Sequence, residues 1–93
     1  MYVVNVLNSE EAVMNSESII GIFENAEDAV EFFESEKTKV CNTLGIEDPN
    51  QSDLVRENKV DYFSVYSDEY GFGSVIQMKE INDTKNFITV THF

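Results

Sequence analysis

Alternating apolar and polar positions at the start of the chain give way to a long stretch of helical periodicity, and alternation then returns. Residues 2–7, Tyr-Val-Val-Asn-Val-Leu, are rich in β-branched side chains and predict a first strand. A polar, acidic connection over 8–16 leads to a second strand over 17–23, which carries Ile19, Ile20, Ile22 and Phe23. Gly21 inside that strand marks either a bulge or a close approach of another group to the backbone. From Ala26 the period changes. Ala29, Val30, Phe33, Val40, Cys41 and Leu44 fall on one face at about 100° per residue. Lys37 lies on the same face, so its stem is expected to run along the core edge with the ammonium outside. Asn25 is a good N-cap, and Asp28 three residues on completes a capping box with a short acid. Glu27 and Asp28 in the first turn also suit the helix dipole. The helix is expected to end near Thr43, with Gly45 as its stop.

Beyond the helix, residues 46–59 hold the sole proline, Pro49, and several turn formers; the composition of 52–56 allows a short extra helix. Strands are expected over 60–66, 74–81 and 87–93, separated by a turn with two glycines at 67–73 and a polar turn at 82–86. The predicted order is β-β-α-β-β-β. Short connections imply antiparallel pairing, so the expected class is α+β: a mostly antiparallel sheet of about five strands with one main helix on it, in a single domain over 1–93.

Charge changes the picture. Eighteen acids face six bases, for a net charge of −12 and a pI of about 4.1. Direct binding to nucleic acid or to an anionic membrane surface is disfavoured by repulsion. The first basic side chain is Lys37, and nine acids precede it. Five of them, Glu24, Glu27, Asp28, Glu31 and Glu34, follow the i, i+3, i+4, i+7 spacing, roughly opposite the apolar stripe. Neighbours at that spacing sit about 5–6 Å apart and repel by a few tenths of a kcal/mol per pair. An ordinary solvated helix face needs no function, but such faces usually mix signs, because Glu–Lys pairs stabilise them. A face with acids alone therefore suggests a surface that imitates the phosphates of a nucleic-acid strand. Glu10, Glu11, Glu17, Asp68 and Glu69 would extend it if folding brings them to the same side.

Candidates for catalysis are thin. Cys41 falls on the apolar stripe and reads as a buried structural thiol. His92, the sole histidine, reads as a surface residue of the last strand. Gly71-Phe72-Gly73 lacks the further residues of a phosphate-binding loop. One Cys and one His fall short of a zinc site, and no calcium-loop pattern is present. No catalytic residue, metal or cofactor is expected. One cysteine, the lack of an apolar run of about 20 residues, and a start without the features of a signal peptide together suggest a soluble, cytoplasmic protein.

With Glu24, Glu27, Asp28 and Glu31 as its charged row, the chain resembles the small DNA-mimic inhibitors of bacteriophages, most closely the Arn-type anti-restriction inhibitors of T-even phages. The likeness covers size, acidity and element order along the whole chain, and the composition resembles that of early products of AT-rich phage genomes. The resemblance implies an inhibitor that occupies the DNA site of a basic host protein in the bacterial cytoplasm. The modification-dependent restriction nuclease McrBC would be one such target and a histone-like protein another. A homodimer is expected as well, since a lone sheet leaves two edges and strand 87–93 carries only His92 to protect one of them. Two other readings stay open: an interaction module that inhibits host transcription or another defence protein through a hydrophobic patch, and a small hydrolase built on a carboxylate pair.

Overall fold

A computed structural model describes residues 1–10 and 15–81. They form β1 (Tyr2–Glu10), β2 (Asn15–Phe23), α1 (Ala26–Leu44), β3 (Val55–Asn58), β4 (Tyr62–Ser67) and β5 (Phe72–Glu80). The strands make one sheet in the order β2-β1-β5-β4-β3, with every neighbouring pair antiparallel. The single helix packs on one face, so the class is α+β with the order β-β-α-β-β-β.

The route to that order differs from the expected one at one strand. Residues 52–56 form no helix. The Ser52 hydroxyl accepts from the Leu54 amide at 3.2 Å, a local bond that competes with helix formation. Val55 then pairs with Val65, and β3 closes the outer side of β4 with an irregularity at Arg56. Tertiary pairing of two half-buried residues, Leu54 and Val55, outweighs a weak helix propensity over so few positions. The expected strand 87–93 lies outside the described residues.

Strand parity sets the core. Val4 and Val6 of β1, Ile76 of β5, and Phe63 and Val65 of β4 point at the helix and are buried. From the helix come Ala29, Phe33, Val40, Cys41 and Leu44. The spacing of 29, 33, 36, 40 and 44 makes a narrow stripe. Val30, one position past Ala29, turns about 100° out of it and is 41% exposed, against the expectation that it packs inside. Cys41 is turned the same way but is buried, because the chain folds back after the helix. The Ile46 amide bonds the Cys41 carbonyl at 2.8 Å, and Ile46 joins the core. Gly45 makes that reversal in the left-handed region, φ 70°, as the helix C-cap.

At the other end Asn25 caps as expected. Its Oδ1 accepts from the Asp28 amide at 2.9 Å, and its Nδ2 donates to Asp28 Oδ2 at 3.0 Å. No helix among the described residues is long and apolar enough to cross a membrane.

Candidate functional site

The helix start places the acidic row. The cap holds the first turn beside the end of β2, and Glu24, Glu27, Asp28, Glu31 and Glu34 are all exposed. At a rise of 1.5 Å per residue Glu27 to Glu34 run about 10 Å along the helix, with Glu24 just ahead of the cap. Among the described residues none of the five forms an ion pair; the two pairs present are Lys39 with Glu36 and Lys59 with Glu57. The row is thus both exposed and uncompensated.

The remaining acids do not join it. Register puts Tyr2, Phe23 and Glu80 at one end of the sheet, where the helix begins. Glu10 stands opposite Phe72, which stands opposite Ser67, at the other end. Asp68 and Glu69, in the turn after Ser67, are therefore exposed at the Glu10 end, about 26 Å away along the strands. Glu17 pairs with Asn8 on the helix-facing side and lines a shallow cleft with Glu36, Lys39 and Phe72, where a cation is already present. Glu11 lies outside the described residues. The sequence expectation of one extended row is corrected: the helix acids form one surface, and Glu10, Asp68 and Glu69 form a second at the opposite end.

Two further groups are structural. Glu36 is only 6% exposed, and its Oε1 holds Lys39 Nζ at 3.0 Å. Burial pushes the Cys41 thiol above its ordinary value, and the nearby Lys37 ammonium offsets part of that rise. A thiol held protonated in the core is a poor nucleophile.

Sequence reasoning missed a groove beside the acidic row, between the end of β2 and the first half of α1. It is lined by Phe23, Phe32, Asp28, Glu31 and Ser35 and has a volume of about 330 Å³. The two half-buried rings lie 5.3 Å apart at a 43° tilt. Gly21 makes room for them: a Cβ there would stand 2.7 Å from Phe23 Cε2 and 3.2 Å from Phe32 Cε2. The regular register past Gly21 decides between the two readings of that glycine in favour of close approach. The signal in the sequence was Phe32 itself, a large aromatic placed off the apolar stripe.

Set against protein-family models, curated proteins and solved structures, the chain finds no significant match.

Proposed function

We propose that this protein is a non-enzymatic DNA mimic that occupies the DNA-binding site of a basic host protein. One observation carries the reading: four exposed carboxylates, Glu27, Asp28, Glu31 and Glu34, follow one another along a single helix, Glu24 stands just ahead of its cap, and no cation is paired to any of the five among the described residues. Glu27 and Asp28 serve the helix start, but Glu31 and Glu34 lie beyond the first turn, where further acids only add repulsion. A partner with a basic cleft gains charge pairing in place of DNA phosphates, and a net charge of −12 steers it there over long range. The class of target is a DNA-binding protein of the bacterial cytoplasm, such as the restriction nuclease McrBC, which makes the activity anti-restriction; a histone-like protein is a second target of the same kind. No direct nucleic-acid contact belongs to this reading.

The functional unit in this reading is a homodimer. Strand β2 stands at the end of the sheet order among the described residues, and its run Ser18-Ile19-Ile20-Gly21-Ile22 has neither a lysine nor a proline to discourage pairing. Sedimentation at micromolar concentration tests this; a sole species of 10.6 kDa rejects it.

Competition decides the main reading. Increasing protein should release duplex DNA from the purified basic partner. The inhibition should weaken at least tenfold between about 50 and about 200 mM salt. Replacing Glu24, Glu27 and Glu31 by Gln and Asp28 by Asn should abolish it with the helical circular dichroism intact, because the amides keep side-chain shape and Asn can still accept from Asn25. A quadruple variant that inhibits like the parent overturns the proposal. The rival module, docking through apolar surface, draws on Ile22, which is 56% exposed. It predicts inhibition that persists as salt rises.

A further inference from the structure

The acidic row accounts for attraction, but a row of exposed carboxylates alone offers little to hold a partner in one pose. The groove beside it has what the row lacks. We infer that the groove between Phe23 and Phe32 is an anchor site for one arginine side chain of the basic partner, a reading that rests on and deepens the DNA-mimic proposal.

Four features point to a guanidinium. Two half-buried aromatic rings, 5.3 Å apart and tilted by 43°, supply the apolar part of the lining. A planar cation stacks on such faces, and arginine does so better than lysine, because its charge is delocalised and weakly hydrated. The rim carries Asp28 and Glu31, one turn apart on the same helix. Asp28 Oδ2 is held by Asn25 Nδ2 at 3.0 Å, which fixes that carboxylate in place, while Glu31 has no ion pair among the described residues. A fixed carboxylate beside a free one suits the fork of a guanidinium, which donates in two directions at once.

Charge excludes the other occupants. A phosphate or an acidic peptide is repelled by the same two carboxylates. A purely apolar side chain would strip water from them and return nothing. The volume, about 330 Å³, is at the lower end of the range for ligand pockets and suits one long side chain. Ser35, a small side chain, completes the lining. The row and the groove then divide the work: the row sets the on-rate, and the groove lengthens the stay of the complex.

The test uses the whole chain and three blocked tripeptides, Gly-Arg-Gly, Gly-Lys-Gly and Gly-citrulline-Gly, followed by aromatic and amide NMR shifts. The arginine peptide should move the Phe23 and Phe32 ring signals saturably. The lysine peptide should bind at least about threefold more weakly and the uncharged citrulline peptide not measurably. Phe32→Leu keeps an apolar side chain and the net charge, removes the ring, and should erase the preference for arginine over lysine. Glu31→Gln should weaken both cationic peptides and keep the preference, and this variant decides the matter if Phe32→Leu does not fold. Equal shifts by arginine and lysine, spread over Glu24, Glu27 and Glu34 with the rings silent, overturn the anchor and leave the DNA-mimic reading standing. Ring shifts specific to arginine, combined with full inhibition by a triple variant Glu24→Gln, Glu27→Gln and Glu34→Gln that keeps both groove carboxylates, support the groove and overturn the mimic.

Discussion

Lys37 Nζ donates to Asn58 Oδ1 at 2.7 Å while standing 5.2 Å from the centre of the Phe63 ring. A residue in the middle of the helix is thereby tied to β3, the strand at the far edge of the sheet. Asn58 passes the link on, since its Nδ2 donates to Asn50 Oδ1 at 2.9 Å in the loop that follows the helix. The lysine stem lies along the core edge, as expected for an amphipathic side chain on an apolar stripe.

Replacing Lys37 by Met keeps most of the stem and removes the donor and the charge. The partly exposed bond is worth about 1 kcal/mol, so the melting midpoint should fall by about 4–8 °C. Lys37→Ala should fall further, because the stem is lost as well. Thermal circular dichroism checks both, and a Met variant as stable as the parent would show that the bond contributes nothing.

Gly21→Ala should destabilise the fold by about 1–2 kcal/mol, because the new methyl meets the Phe23 ring at 2.7 Å and both rings must swing aside. Urea denaturation measures the loss. An unchanged midpoint would mean that the two rings move at no cost, and would also argue against a preformed lining for the groove.

Added sodium chloride should raise the melting midpoint. Twelve net negative charges repel one another more in the folded chain than in the expanded one, and screening shortens their reach from about 30 Å at 0.01 M to about 8 Å at 0.15 M. Melts at the two ionic strengths decide it, and a flat or falling midpoint would count against clustered surface acids.

Cys41 gives a pH dependence of known sign. Its folded-state thiol holds the proton more tightly than the unfolded-chain thiol, whose ordinary value is 9.0. Below that value both states are protonated and the thiol contributes no pH dependence. As pH rises past it, the unfolded chain loses the proton first, so stability drains away until the raised folded value is passed. Melts from about pH 8 to about pH 10 should therefore fall more steeply for the parent than for Cys41→Ala. Parallel curves would show that the thiol is not held protonated.

Much of this fold was legible in residue order. Asn25, Asp28 and Gly45 mark both ends of the helix through local chemistry that needs no distant partner, and the structure keeps those bonds. The strand pattern of β1, β2 and β5 is legible for a similar reason: a period of two is a property of the chain itself, and several consecutive residues report it. The exposure of Glu27, Asp28, Glu31 and Glu34 also follows from helical spacing once the apolar stripe is known.

Tertiary structure decided what depends on partners far along the chain. Residues 52–56 become a turn and the start of β3 because β4 offers an unpaired edge, and no local propensity announces that edge. Val30 is left at the surface while Glu36 is buried, because the helix sets down on the sheet along a stripe narrower than its hydrophobic residues suggest. Glu10, Asp68 and Glu69 are separated from the helix acids by strand register, which sends the end of β1 and the β4–β5 turn to one end of the sheet and the helix start to the other. The groove exists only because Gly21, Phe23 and Phe32 meet across the gap between β2 and the helix. Composition determined how acidic the protein is; the packing of one helix on one sheet determined where that charge stands and what stands beside it.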